Sequence, residues 1–479
     1  MSSEEIDIGN QFRGEIEKLI KQLQTALADT IRETDDRPAL PAGAETALQT
    51  LKEPLPEHGC GAQKSIERLL QLNAQAAANT GGPKCFHFII GGSTPAALAA
   101  DILATAFETV TYTWVVSPVG VQMELQALDW LKELFGLPAS MSGIMVTGAT
   151  MANFVGLASA RQWWGEQHGF DVSETGLSGK PQMPVLTSGF VHASTLKVLA
   201  LQGIGRANVQ QFCRDDFGRL DIDAMAEALE QLNGAPALMI INAGEVNCGE
   251  FDPVEDMIKL ARKHNCWVHV DGAFGLFARV SPRVAHFVKG VELADSVTVD
   301  GHKWLNVPFD SGYAFVRDRG LMVRAFRYSA NYLPAADNPR PTLGAIGPES
   351  SRRARGFAVW ATLKAYGRDG QRRIVEHCLD LAQHFADQVR SHKHLELMAD
   401  VPMNIVAFRF NPGGLDDEAL DELNQRLGEA VLADGRFLSG TSKIGPRTIF
   451  RPAFSNWRTR KQDVEEFAEV VTELGHAIL

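Results

Sequence analysis

The chain runs to 479 residues, 45% hydrophobic and 22% charged, too long for one simple core and ordinary for a soluble protein of two or three lobes. A formal charge of −12 argues against nucleic acid or an anionic membrane as partner, and six cysteines with no CxxC pair read as reduced thiols. The acidic, polar first ten residues lack the apolar core of a signal peptide, and the most apolar long stretch, 95–116, carries Asp101 and Glu108, so a cytoplasmic protein with no membrane span is expected.

Residues 11–29 set Ile16, Leu19, Ile20, Leu23 and Leu27 along one helical stripe. A stripe ahead of the main domain packs either on a partner subunit or on its own domain. A Pro- and Ala-rich passage, 37–56, reads as linker and 66–78 as a second helix, so residues 1–82 form an N-terminal helical segment. Thr80-Gly81-Gly82-Pro83 breaks it, and 86–92 follows as an extended, glycine-ended stretch. Helices are predicted over 95–107 and 121–135, the second stopped by Gly136-Leu137-Pro138.

Strand-sized runs then recur at 144–147, 185–187, 209–212, 237–241, 266–270, 296–299 and 312–316, mostly separated by helix-sized segments. That alternation predicts an α/β large domain over 83–320, with a mainly parallel sheet covered by helices on both faces. A polar, proline-spotted segment, 333–351, has no periodicity and reads as a long loop of the functional or disordered kind. Helices over 352–366, 371–388, 416–432 and from 461 onward, with β segments at 405–410 and 448–453, make a small α+β domain within 321–479.

Two of the strand-sized runs end on chemistry. Asp271 closes the run 266–270, and Lys303 stands just past 296–299 in Asp300-Gly301-His302-Lys303-Trp304. Ligands of open α/β sheets gather where strands end. A lysine there can hold an aldehyde as a Schiff base, and an acid can keep a pyridine nitrogen protonated, which is the pair pyridoxal phosphate requires. Most lysines are simply solvated, but one set between His302 and Trp304 in an apolar region is partly desolvated and more easily neutral. An unpaired buried Asp271 is costly; its plainer reading is a turn cap over Gly272. Ala273 is small enough for a flat ring to lie against.

Thr147-Gly148-Ala149-Thr150 joins a strand to a helix. Gly148 permits a tight turn, and the Ala149 and Thr150 amides with the Thr150 hydroxyl suit a phosphate, although such junctions are common. His192, just before a helix in SGFVHAS, suits stacking on a ring and moving protons, or merely capping the helix. No metal is expected.

Taken in order, the GAT turn, SGFVHAS, HVDGAF and ADSVTVDGHKW resemble the group II pyridoxal-phosphate-dependent decarboxylases. That family includes aromatic amino acid, glutamate, histidine and diaminobutyrate decarboxylases of the aspartate aminotransferase (type I) fold. The likeness extends from about residue 82 to Ser455-Asn456-Trp457-Arg458. It implies a seven-stranded, mainly parallel sheet, a homodimer with sites at the subunit boundary, and an L-amino acid decarboxylated to amine and CO2. It implies Lys303 as the Schiff-base lysine, Asp271 on the pyridine nitrogen, Ala273 beneath the ring and His192 above it. Gly148, Ala149 and Thr150, with His302 nearby, would surround the phosphate.

The sequence also departs from the family pattern. Asp300-Gly301 stands where relatives often have Asn-Pro; an acid is repelled by a phosphate dianion unless turned away or hydrogen-bonded, so Asp300 is left out of the phosphate set. The stretch 243–249 often carries threonines, and here Asn247 is the candidate contact to the cofactor's phenolic oxygen. His87-Phe88-Ile89-Ile90 matches a segment that often lends aromatics to the substrate pocket. His87 and Phe88 are therefore candidate substrate contacts, compatible with a small or aliphatic side chain but naming none. Relatives carry a tyrosine on a mobile loop, thought to protonate the substrate carbon after CO2 leaves, whereas 333–351 has no tyrosine, phenylalanine or histidine. Tyr328 and Tyr332 lie just before it. Relatives that replace the loop tyrosine can form aldehydes oxidatively. Transamination, carbon–carbon lysis and catalytically silent cofactor binding stand as further alternatives.

Overall fold

Residues 237–242 and 266–271 are buried along their whole length, a condition that only the interior of a doubly covered sheet satisfies. The computed structural model, which describes residues 8–328 and 340–479, sets both runs near the middle of a seven-stranded sheet. Ahead of the sheet come α1 (Ile8–Glu33), α2 (Ala44–Gln49), α3 (Ala62–Ala76), α4 (Pro95–Ala106) and α5 (Pro118–Phe135). The large domain continues with β1 (Ser142–Val146), α6 (Ala149–Gln167), α7 (Val172–Thr175), β2 (Val185–Thr187), α8 (Ala193–Leu201) and β3 (Val209–Gln211). Then follow α9 (Ile222–Gln231), β4 (Ala237–Asn242), α10 (Val254–Lys263), β5 (Cys266–Asp271), β6 (Ser296–Asp300) and β7 (Gly312–Val316).

The strand order is β1-β7-β6-β5-β4-β2-β3. Pairings from β3 through β6 are parallel, and β7 runs antiparallel to both its neighbours. The mainly parallel sheet read from the sequence is therefore present. Helix α10 shows why helices cover it: Val254, Met257, Ile258 and Ala261 bury one face, while Glu255 and Asp256 begin it and Arg262 and Lys263 end it, as the helix dipole favours.

The C-terminal part holds α11 (Arg319–Phe326), α12 (Gly356–Ser391), β8 (Leu395–Leu397), β9 (Phe408–Phe410) and α13 (Asp417–Asp434), then β10 (Thr441–Ile444), β11 (Arg447–Phe450) and α14 (Lys461–Ala477). Its four strands form an antiparallel sheet in the order β10-β11-β9-β8, packed on a core of Phe385, Phe408, Phe450 and Phe467 that Phe86 joins from the chain's first half.

Several details differ from the sequence reading. Four strands stand where two β segments are expected, because β8 and β10 are short and half exposed and carry little apolar signature. The two helices expected over 352–366 and 371–388 are present and follow each other directly as the two limbs of α12, broken at Gly367, whose φ of 60° and ψ of −170° are not helical. The linker contains α2, and 86–92 forms no strand, since Phe88 and Ile89 have φ of 61° and 58°. Of the loop over 333–351, residues 333–339 lie outside the described residues, as does Tyr332. Its remainder is tied down where the Trp114 amide donates to the Pro341 carbonyl, and just past its end Arg352 forms a buried pair with Glu124 at 2.6 Å. Among the described residues no helix is long and apolar enough to cross a membrane.

Candidate active site

Strand ends line a cavity of about 370 Å³. Trp267, His269 and Asp271 alternate along β5 and so share one face of the strand, and a hydrogen-bonded chain links them. Trp267 Nε1 donates to Ser296 Oγ at 2.9 Å, Ser296 Oγ meets His269 Nδ1 at 2.8 Å, and His269 Nε2 meets Asn153 Oδ1 at 2.9 Å. Asn153 Nδ2 then donates to Asp271 Oδ2 at 2.8 Å, beside the Thr195 hydroxyl at 2.9 Å. The Asn153 amide group faces Asp271 and Thr195, which leaves its oxygen to accept, so His269 carries its proton on Nε2 and accepts from Ser296 at Nδ1. Complete burial holds His269 neutral by lowering its pKa to about 4. Asp271 Oδ1 accepts the Ala273 amide at 3.2 Å, so the turn-capping contact is the third donor of the cradle.

β6 ends at Asp300, and the next five residues form a tight turn in which Lys303 has φ −86° and ψ −105°. Asn306 pins the turn: its amide side chain donates to the carbonyls of Lys303, Trp304 and Ser455, and its oxygen accepts the Trp457 amide. The C-terminal Ser455-Asn456-Trp457 motif thereby holds the lysine turn, and through Ser455 Oγ and Trp457 Nε1 it also holds the carbonyls of Ile90 and Ser93. Gly91 lies so close that a Cβ there would meet the Lys303 carbonyl oxygen at 1.7 Å. The Lys303 side chain is 16% exposed, with Nζ 3.6 Å from Asp300 Oδ2 and 5.9 Å from the centre of the Phe274 ring. It is reachable but not solvated like a surface lysine.

Gly148, Ala149 and Thr150 open α6 at the far side, where the first helical amides have no partner within the helix. β7 begins against them, and Gly312 is required there because a Cβ would come within 2.4 Å of the Gly148 carbonyl carbon. His302 stacks on Phe309 at 4.2 Å, with Nδ1 3.1 Å from Asp300 Oδ1. Burial, and then the Lys303 charge, pull His302 down to about 4, so it is neutral. Asp300 is buried in the cavity wall, and desolvation pushes it up to about 6 against the pull of Lys303 and the Ala149 amide. His192 stays solvent-accessible at the cavity mouth; its Nδ1 accepts the Ser194 amide at 3.2 Å, so it caps α8 and keeps its proton on Nε2. The protein packed around it still lowers its pKa.

The cavity therefore gathers Gly148, Ala149, Thr150, His192, Asp271, Ala273, His302 and Lys303. Three expected residues stand elsewhere. Asn247 is turned to the small domain, its Oδ1 accepting from Ser442 at 2.6 Å while its amide donates to Glu245; Asn242, Gly244 and Val246 line the wall in its stead. His87 and Phe88 do not line it either. The left-handed backbone leaves Phe88 63% exposed, and His87 packs on Gly440, its pKa held down to about 4 by burial and then by Arg451. Sequence reasoning missed Asn153, Thr195, Phe274 and Phe309, and set aside Asp300. The one available signal for Asn153 was a polar residue within the buried small-residue face of α6. Among the described residues no cluster of three or more His, Cys, Asp or Glu has metal-binding placement.

An amine and a carboxylate on adjacent strand ends, facing a helix start across one cavity, fit pyridoxal phosphate by their chemistry, and with the sheet order they define a type I pyridoxal-phosphate enzyme. The chain belongs to the pyridoxal-dependent decarboxylases: the family described as pyridoxal-dependent decarboxylase conserved domain matches residues 49–411, and the protein is a lyase that decarboxylates an amino acid. It is 26% identical over 435 residues to an aromatic-L-amino-acid decarboxylase of Bacillus atrophaeus, covering 89% of this chain and 88% of that protein. It is 26% identical over 404 residues to an L-2,4-diaminobutyrate decarboxylase of Acinetobacter baumannii, covering 81% and 79%. The crystal structure of Oryza sativa TDC with PLP and tryptamine superposes with a TM-score of 0.88 at 23% identity, over 100% of both chains.

Proposed function

We propose that this decarboxylase works as a cytoplasmic homodimer on an L-amino acid and releases the amine and CO2. The observation that carries the proposal is the placing of Asp271 and Lys303 on adjacent strand ends of one cavity, opposite the head of α6. Bound pyridoxal phosphate supplies the electron sink for loss of the carboxylate. Lys303 Nζ would bind the cofactor's aldehyde and give way there to the substrate's amine. Asp271 holds the proton on the pyridine nitrogen, steadied by Asn153, Thr195 and the Ala273 amide. Ala273 and neutral His192 would hold the ring, His192 with a proton on Nε2. Gly148, Ala149, Thr150 and His302 hold the phosphate. Two relatives of equal identity act, by their names, on aromatic amino acids and on diaminobutyrate, so both classes belong in the first trial.

The homodimer is supported by α1, where Phe12, Ile16 and Ile20 remain more than half exposed (56%, 58% and 58%); an apolar stripe of this length needs cover. A monomer by light scattering at micromolar concentration overturns it. The reaction is tested by incubating the holoenzyme with aromatic, acidic and dibasic L-amino acids while measuring CO2, amine, aldehyde and keto acid. Amine matching CO2 is expected, and stoichiometric keto acid without CO2 refutes the reading. A second outcome, aldehyde with O2 consumed, is favoured by one observation: the sequence over 333–351 contains no tyrosine or histidine to serve as proton donor.

A further inference from the structure

We infer that Asp300 carries a proton whenever a phosphate ester occupies the cup beside it, so that cofactor uptake is coupled to uptake of one proton by this side chain. The inference rests on the reading of Gly148–Thr150 and His302 as that cup. Asp300 is 3% exposed and lies among the groups a phosphate would use. Its Oδ1 is 3.1 Å from His302 Nδ1 and 3.6 Å from the place a Gly148 Cβ would take, and its Oδ2 is 3.6 Å from Lys303 Nζ.

A phosphate monoester bears close to two negative charges at neutral pH, and a carboxylate sharing its donors repels it. The Ala149 amide, which eases a charge on Asp300, is one of the donors the phosphate would take, and the remaining surroundings offer little to offset the repulsion. His302 is neutral, and Lys303 is the cation that the cofactor's aldehyde engages. From β7, Tyr313 faces Asp300 as a phenol that burial keeps protonated, bonded to Ser311. From β5, Asp271 adds negative charge. Asp310 bears on His302 and is itself held by Arg355 at 2.6 Å. Taking a proton from solvent removes the repulsion and turns Asp300 from an acceptor into an O–H donor to a phosphate oxygen. Burial already raises Asp300 to about 6, so that proton is close at hand near neutrality.

The test compares pyridoxal phosphate with pyridoxal, which lacks the phosphate but shares the aldehyde and the ring. Dissociation constants are measured by fluorescence from pH 6.5 to 8.5 on the full chain and on Asp300→Asn. For the wild type, the preference for the phosphorylated ligand is expected to fall by about tenfold per pH unit above pH 7. For Asp300→Asn the preference, a ratio from which any common effect on the aldehyde cancels, should be flat and at least about tenfold stronger at pH 8. Calorimetry in two buffers of different ionisation heat should find one extra proton taken up with pyridoxal phosphate by the wild type and none by the variant. A shared pH profile, or proton uptake persisting in Asp300→Asn, assigns the proton to the phosphate and overturns the inference. Should the variant fail to fold, a pH-independent wild-type preference overturns it alone. If neither ligand binds the wild type, the cofactor-site reading itself has failed.

Discussion

Asp271 and Asp300 finish adjacent strands of one sheet, both buried, in opposite surroundings. Around Asp271 the protein has built donors: Asn153 from α6, Thr195 from α8 and the Ala273 amide. Around Asp300 the donors are fewer, the Ala149 amide and Lys303, and they do not outweigh its burial. Lys303 stands 3.6 Å away and His302 approaches Oδ1 without hydrogen-bonding geometry, so that oxygen has no partner. A buried carboxylate is tolerated either because donors are aimed at it or because it gives up its charge. The two ends of this cavity use one solution each. The first suits a permanent partner for a protonated ring nitrogen, and the second suits an acid that shares space with an anion.

The largest break in this arrangement is Lys303→Ala, which removes the cation 3.6 Å from Asp300 in the cavity that Asp271 also lines. The Schiff-base absorbance should vanish, and turnover should fall by at least about 10³-fold, as for loss of an attacking amine. If the band persisted in a spectrum of the reconstituted variant, the assignment of Lys303 would be wrong. Next in size is Asn153→Leu, similar in volume but without the amide. It leaves Asp271 one donor short and orphans the His269 Nε2–H. A hydrogen bond to a charged group is worth about 1.5–3 kcal/mol, so kcat should drop by about ten- to a hundredfold with KM little changed. The preference for pyridoxal phosphate over pyridoxal should stay as in the wild type, because the Asp300 end is untouched. Equal damage to both ends by this variant would show that the two acids are not independent.

Which parts of this were legible in the sequence follows from how each residue reaches the site. Asp271 and Lys303 are fixed by counting from the ends of buried β-branched runs, and Gly148–Thr150 and His192 by strand-to-helix junctions, so local pattern suffices. Asn153 and Thr195 arrive from two other elements, and nothing near them in the chain says which carboxylate they meet. Asp300 was visible but set aside on charge: that reasoning assumed a permanently ionised acid, whereas burial raises its pKa to about 6 and keeps it in the wall. Asn247 and Phe88 stand outside the cavity for reasons of backbone detail, a turn that sends Asn247 to Ser442 and left-handed φ at Phe88. The small sheet was half seen, since β8 and β10 are too short and exposed to show periodicity.

The smallest effect at neutral pH is expected at His269, at the far end of the Asp271 chain. Glutamine there keeps a donor for Asn153 Oδ1 and an acceptor for Ser296, so His269→Gln should leave kcat at pH 7.5 within about threefold. The difference appears in acid. Folded His269 resists protonation down to about pH 4, whereas the unfolded chain takes up that proton near the ordinary value of about 6.5. In that window the unfolded state binds more protons, so stability rises with pH and is lost as pH falls from about 6.5 towards 4. His87 and His302 act in the same direction, each held down to about 4, so the variant keeps their share of the loss and sheds only the part due to His269. Urea denaturation at pH 7.5 and 4.5 should therefore show the wild type losing on the order of 2–3 kcal/mol more than His269→Gln. Equal losses would mean that His269 is protonated in the fold. Asn153 Oδ1 would still be satisfied, but Nδ1 would become a donor and Ser296 would have to accept from both Trp267 and His269, breaking the one-way chain that aims Asn153 at Asp271.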